Sequence, residues 1–367
     1  VKRGGLIPLV GICLAGAGTE AEAHEAPAGA ESSPAVATPS SPERPEAGSR
    51  WRGSILLFDQ SITAETVGVG GAYQSPDPTY EWWVALKPRY TVLDRGTDAV
   101  SLNLWMNAYL ELTNSDTTTR EREVLLGPSY LWALYGHTFR DRAGAKTSAT
   151  IGPRLTLPTD KAAFDAGQIL GLGAIGSAVQ TFRLRGHGAV ALTGARLGAG
   201  ATYAHFFDRA SSPVDGGLHR LREDLNGLSV SSDLLAGGMM VRDSLSVSVL
   251  GDLQLLRRLD LSLSYVVINY WLYPVPIFQD CVPLTGCVTP TTNVDPTTYR
   301  VNTWLTAALS YDVNDALAVS AGYYNLANQL APYGTRRNPA WSPGARLFLT
   351  VTGNLDAIYR RLAPRAP

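Results

Sequence analysis

Val100-Ser101-Leu102-Asn103-Leu104-Trp105-Met106-Asn107-Ala108-Tyr109-Leu110-Glu111-Leu112 alternates without a slip from end to end. Val100, Leu102, Leu104, Met106, Ala108, Leu110 and Leu112 share one face, and Ser101, Asn103, Trp105, Asn107, Tyr109 and Glu111 share the other. In a strand, successive side chains point to opposite sides, so one face of this segment wants hydrocarbon and the other tolerates water. The run is about twice as long as the five or six residues usual in soluble sheets, and it suits a tilted strand crossing a bilayer. An Arg at Leu104 is therefore expected to be costly, and one at Asn103 mild.

The same pattern recurs along the chain. In 80–93, Tyr80, Trp82, Val84, Leu86, Pro88, Tyr90 and Val92 oppose Glu81, Trp83, Ala85, Lys87, Arg89 and Thr91. Pro88 removes one ladder hydrogen bond and implies a bulge or strand end nearby. In 123–135, Val124, Leu126, Tyr130, Trp132 and Leu134 read as outward; in 147–157, Ala149, Ile151, Leu155 and Leu157 read as outward and Arg154 as inward. Further segments are 244–255, 259–273, 298–311, 316–326 and 344–355, with less regular ones near 53–69, 168–182 and 188–206. Together they predict an all-β fold, a transmembrane antiparallel up-and-down β-barrel of about twelve strands. Ten or fourteen remain compatible, because Leu228 to Val241 could supply another hairpin.

Connections alternate between tight and long. Asp94 to Ala99, Arg257-Arg258 and Asp312 to Asp315 are short and polar, whereas 207–243, 274–297 and 327–343 are long. Leu218, Leu221, Leu225 and Leu228 recur at helical spacing in one long connection, so either a short amphipathic helix or an ordinary surface loop is expected there. Tyr80 and Trp82, Trp271 and Tyr273, and Tyr299 and Tyr323 fall at strand ends, as interfacial aromatic girdles require.

Ser342-x-Gly344-x-x-Leu347-x-Leu349, placed by this reading in the final strand, is similar to the polar-x-Gly-x-x-hydrophobic-x-hydrophobic signal of outer-membrane barrels. With the architecture of 51–355, the chain resembles a Gram-negative outer-membrane β-barrel protein. The usual terminal aromatic is absent, because Asp356 to Pro367 continues past the strand. The resemblance implies residence in the outer membrane, contact with its lipid, and delivery by the barrel assembly machinery.

Composition agrees with export and excludes other classes. Only 17% of the residues are charged, with a net charge of -1, against about 25% charged in a soluble domain. The electrostatic footprint of nucleic-acid binding is missing. Outside the N-terminus, no uncharged apolar run reaches about 20 residues, so membrane-spanning helices are not expected. Lys2 and Arg3, the apolar stretch Leu6 to Ala17 and the small-residue sites ending at Ala17 and Ala23 have the layout of a signal peptide over 1–23. Ile12 before Cys13 fits lipid modification poorly. Pro27, Pro34, Pro39, Pro42 and Pro45 then mark 24–50 as a leader that cannot bury enough apolar surface to order itself. The barrel is assigned to 51–356 and a periplasmic tail to 357–367. Of the cysteines, Cys281 and Cys287 lie in a Pro/Thr-rich loop, where an exported pair suggests a disulfide; two free thiols are the alternative.

Catalytic and cofactor motifs are weak. Gly171-x-Gly173-x-x-Gly176 spells a dinucleotide fingerprint, yet position 196 is Arg and the first later acid is Asp208, so a Gly-lined strand accounts for it better. Barrel lipid hydrolases resemble a Ser activated by His, often as His-x-Ser; here His137, His187, His205 and His219 lack that spacing, and His205 is the best placed to find a partner on another strand. Neither a cofactor nor a metal is called for. The lumen carries the functional expectation. Lys87, Arg89, Arg154, Arg300 and Arg346 fall on inward faces with Glu81, Glu111 and Asp252, among Trp83, Trp105, Tyr109 and Trp304. Guanidinium groups beside aromatic platforms suit small polar, anionic or sugar-like solutes in a channel or uptake pore. A plugged barrel, with those charges paired and its long outer loops serving binding, is the rival reading; a lipid-modifying enzyme is the third.

Overall fold

A computed structural model describes residues 50–64, 79–113, 122–140, 145–165, 167–184, 192–209, 219–223, 229–233, 240–256, 258–273, 280–282, 286–288, 298–328, 338–342 and 345–362. The expected signal peptide and nearly all of the leader lie outside the described residues. Twelve antiparallel strands form the barrel. They are β1 (Ile55–Thr63), β2 (Tyr80–Lys87 and Arg89–Asp94), β3 (Asp98–Glu111), β4 (Val124–Leu126 and Ser129–Arg140), β5 (Lys146–Leu157), β6 (Gln168–Arg183), β7 (Gly194–Asp208), β8 (Val241–Leu256), β9 (Leu259–Leu272), β10 (Tyr299–Asn314), β11 (Leu317–Asn328) and β12 (Arg346–Asn354). Each pairs with its sequence neighbour, and β12 pairs with β1, from Ile55 opposite Asn354 to Thr63 opposite Arg346. Among the described residues, closure leaves the barrel sheet without an unpaired edge strand, the condition for a sheet to sit in hydrocarbon.

The faces follow the alternation. Along β3, Ser101, Asn103, Trp105, Asn107 and Glu111 are buried inside while Leu102 and Met106 are exposed. Ile151, Leu197, Val249, Leu263, Leu309 and Leu349, from six different strands, are likewise exposed, giving an apolar outer belt. Leu104→Arg should accordingly cost about 2–4 kcal/mol near the bilayer midplane, measured by unfolding from lipid vesicles. The matching expectation for Asn103 is revised. Its amide donates to Ser101 at 3.2 Å in a packed interior, so Asn103→Arg should also destabilise, through overpacking.

Pro88 interrupts β2 between its two halves, but Leu104 N still donates to Pro88 O at 3.1 Å and the register against β3 is kept. The bulge falls further on, between Thr91 and Leu93. In β4 the expected faces hold only for Val124 and Leu126. Gly127-Pro128 inserts one residue: Ala108 faces Leu126, but Leu104 faces Leu131. A slip of one reverses every later side chain. Leu131, Tyr135 and Phe139 are therefore outside, and Tyr130 and Trp132 are inside, contrary to their sequence assignment.

Short turns and the C-terminal end of the barrel share one rim, and the long connections share the other, which fits periplasmic and outer rims respectively. The helical reading of the longest connection is corrected. His219–Glu223 pairs with Ser229–Asp233 as a small hairpin off the barrel path, with Leu221 opposite Ser231. Leu218, Leu225 and Leu228 lie outside the described residues. A second small hairpin sets Cys281 opposite Cys287 in backbone register. Ser342 precedes β12 instead of lying in it, donating its hydroxyl to Asn325 Oδ1 at 2.6 Å. Tyr323 stacks on Trp341 and Trp271 meets Tyr299 at 5.7 Å, as girdle aromatics would.

Candidate functional site

The inward face is divided into two kinds of wall. On β1 to β4, Ile55, Leu57, Trp83, Ala85, Trp105 and Tyr130 form one buried cluster, joined by Tyr109 and Trp132. On β9 to β12, Val266, Ile268, Tyr270, Leu272, Trp304, Ala308, Tyr324 and Phe348 form another. Phe348 lies over its register partner Gly322, where an added Cβ would stand 2.6 Å from the ring and 2.4 Å from Ala307 O. Gly322→Val should thus cost about 1–3 kcal/mol by overpacking, seen as a lower midpoint in denaturant. Facing these clusters, β5 to β8 present small residues. Thr150, Gly173, Ser177 and Gly198 are only half-buried, and Ser244, Ser246 and Ser248 continue the polar row.

The structure places the expected lumen residues as follows. Lys87 sits with Nζ 5.6 Å from both the Trp105 and Trp132 ring centroids. Arg154 is buried with its guanidinium carbon 4.1 Å from the Tyr130 ring centroid. Arg346, 1% exposed, donates to Glu81 Oε1 at 2.8 Å and to Ser61 at 3.2 Å. Glu111 is fully buried, accepts a hydrogen bond from Thr113, and is the register partner of Glu81. Trp304 donates from its indole to Thr306 at 2.8 Å. Arg300 is half-buried on the inward parity of β10, opposite Tyr270 at the outer end. Arg89 lies at the periplasmic end against Gly53, a turn residue with φ +88°, whose missing Cβ leaves room for the Arg89 side chain.

Lys87, Arg154, Trp105, Trp132 and Tyr130 are thus brought together, while Arg300 and Arg89 stand apart at opposite ends. Among the described residues, neither Lys87 nor Arg300 forms an ion pair. Sequence reasoning missed several inward groups. Arg196 is inward and binds Asp252 at 3.1 Å; Asp59 and Asp260 add two buried acids. The strand period could have shown Asp59 and Asp260 once the bounds of β1 and β9 were fixed, and the Gly127-Pro128 pair was the signal for Tyr130 and Trp132.

The other motifs resolve simply. Gly171, Gly173 and Gly176 all lie within β6, so no helix follows them to hold a phosphate. A Cβ on Gly173 would stand 1.8 Å from Tyr203 O, which explains glycine there by close approach of the neighbouring strand. His205 Nδ1 is 2.7 Å from Asp243 Oδ1, and His137 Nδ1 is 2.8 Å from Asp98 Oδ1. Among the described residues, no serine hydroxyl is hydrogen-bonded to either ring. His187 and the side chain of His219 lie outside the described residues. No three His, Cys, Asp or Glu among the described residues are grouped to hold a metal.

No family model and no curated protein matches the chain. Among solved structures, an outer-membrane channel from Pseudomonas putida F1 is 10% identical, with 85% of this chain and 99% of that one covered and a TM-score of 0.45. The KdgM porin is 5% identical over 82% of this chain and 98% of its own, with a TM-score of 0.32. Outer membrane phospholipase A from Escherichia coli is 10% identical over 86% and 95%, at 0.33. Overlaps this slight transfer no activity, and the assignment rests on the molecule itself. A closed barrel with an apolar belt outside and charges and hydroxyls inside has the architecture of a membrane-spanning β-barrel.

Proposed function

We propose that the barrel is a narrow outer-membrane channel for small polar or anionic solutes. The observation that carries this reading is the asymmetry of the lumen. Lys87, on β2, is held over the Trp105 and Trp132 rings, while β5 to β8 contribute Gly, Ser and Thr to the inward face. Lys87, mounted on two rings, keeps a charge that can attract a passing anion, because the aromatic face supports the charge without neutralising it. Planar-bilayer recording of the purified protein tests the proposal: discrete conductance steps with an anion-leaning reversal potential are expected. Steps absent above background would refute it.

A second reading is favoured by the paired charges. In it, Arg346 with Glu81 and Arg196 with Asp252 cross-link the interior, and the barrel conducts nothing. The same recording separates the two. Under either reading, outward Leu347 and Leu349 on the closing strand are the side chains that a barrel assembly machinery would meet in the signal at the C-terminal end.

Cys281 and Cys287, opposite one another in the outer hairpin, would form a staple for that loop. So short a ring contributes only about 2 kcal/mol by chain entropy, enough to order the loop and irrelevant to barrel closure. Mass spectrometry of the unreduced protein should find neither thiol alkylatable; two labelled thiols would remove the staple.

A further inference from the structure

The segment after the last strand, expected as a plain periplasmic tail, forms a second helix beyond the one-turn α1 (Lys161–Asp165): α2 (Leu355–Leu362). Asn354 caps it, accepting from Ala357 N at 3.4 Å, and Leu355 N donates to Ser54 O at 3.0 Å, tying the first turn to the base of β1. At 100° per residue, Leu355, Ile358, Tyr359 and Leu362 form one apolar stripe, and Arg360 and Arg361 occupy the opposite side. Arg360 pairs with Asp356 at 3.0 Å, and Arg361 pairs with Asp315, in the β10–β11 turn, at 3.1 Å. A backbone hydrogen bond and Arg361 together hold the Asp315 carboxyl below its ordinary value.

On this helix one carboxylate is buried and two large apolar side chains are exposed, which water alone would not select. Asp356 is 5% exposed, whereas Tyr359 is 71% and Leu362 77% exposed. A helix facing solvent would turn its carboxylate out and its Leu in. The orientation makes sense once the neighbouring surface is considered. Gly353 has the outward parity of β12, and a Cβ on it would stand 3.4 Å from Ile358 Cδ1. Ile358 therefore packs on the outer wall of the barrel, and the stripe continues the apolar belt past the end of the strand.

We propose that α2 is an interfacial helix seated in the periplasmic leaflet, with phospholipid as the partner of Tyr359 and Leu362. Acyl chains cover the stripe, and Arg360 and Arg361 stay at the level of the headgroups, the placement expected of an amphipathic helix lying in the plane of an interface. The ties to Ser54 and Asp315 fix its rotation, so the lipid contact also holds the β10–β11 turn and the base of β1 at a set depth.

A spin label tests this in the full chain, reconstituted in phosphatidylethanolamine and phosphatidylglycerol vesicles. With the three native cysteines replaced by alanine, Leu362→Cys, Tyr359→Cys and Arg360→Cys are labelled one at a time. References are Leu349→Cys on the outer belt and Arg258→Cys in a short turn. Labels at 362 and 359 should relax with oxygen over a water-soluble nickel chelate in the proportion seen at 349, and the label at 360 should lean toward the chelate. Chelate-dominated relaxation at 362 and 359, as at 258, would place the stripe in water and overturn the proposal. Shielding from both reagents would overturn it too, by showing that protein covers the stripe. Heat-shifted gel mobility reports folding of each variant, and either of the two stripe positions alone carries the reading.

Discussion

Arg346→Met should cost about 3–5 kcal/mol of barrel stability, and Glu81→Leu a similar amount. Arg346 on β12 reaches across β1 to Glu81 on β2, with Ser61 of β1 accepting a hydrogen bond between them. The pair therefore spans the seam where the last strand meets the first. Both side chains are removed from water, so deleting either leaves a buried charge whose desolvation is no longer offset. Glu111, the register partner of Glu81, sharpens the asymmetry, because without Arg346 two carboxylates face each other in a low-dielectric interior. Replacing both partners at once should recover most of the loss, since two apolar side chains of similar volume desolvate freely. Urea unfolding from lipid vesicles, run as a double-mutant cycle, measures this. Single substitutions that cost less than about 1 kcal/mol would mean that the pair is hydrated and the seam is held by the backbone ladder alone.

That seam also shows what a sequence discloses and what it withholds. β3 and β9 are long and unbroken, so their period of two reveals both strand and face. The twelve-strand count follows because each hairpin repeats the signal. The Arg346–Glu81 contact is invisible along the chain: it exists only through closure, which brings together residues from opposite ends. β4 fails for a local reason. Gly127-Pro128 looks like a pause, but its single extra residue moves Tyr130 and Trp132 from lipid to lumen. That reversal hid Trp132 under Lys87 and Tyr130 under Arg154, whereas Trp105 was already legible as inward. The His219–Asp233 hairpin reads along the sequence as either a short helix or a surface loop, because four leucines fall at helical spacing and the alternation of Ser229-Val230-Ser231-Ser232 is short. In α2 the stripe was legible, but its significance depends on where the barrel ends.

The inward charge inventory bears directly on selectivity. Sequence parity gave five cations against three acids; the structure adds Arg196 to the first set and Asp59 and Asp260 to the second. A bare count thus gives almost no preference, and selectivity has to come from which charges a solute can feel. Arg346 and Arg196 are tied to carboxylates, and Asp59 accepts from Thr350 inside the packed wall. Lys87 on its two indoles and Arg300 at the outer end remain to meet an anion. At about 6 Å, one unit charge contributes about 0.7 kcal/mol in bulk water and about 3 kcal/mol at an effective dielectric of about 20. A narrow wet passage falls between these limits, so each cation should alter anion permeability severalfold. Lys87→Met keeps the stem on Trp105 and Trp132 and removes only the charge; Arg300→Gln does the same at the mouth. Each should move the reversal potential in a salt gradient toward the cation side, and the double variant should bring anion over cation permeability close to unity. Raising salt should shrink the effect of Arg300→Gln more than that of Lys87→Met, because the mouth is better screened than the interior. A reversal potential unchanged in the double variant would mean that ions do not pass these residues, and the conducting path would have to be sought elsewhere in the barrel.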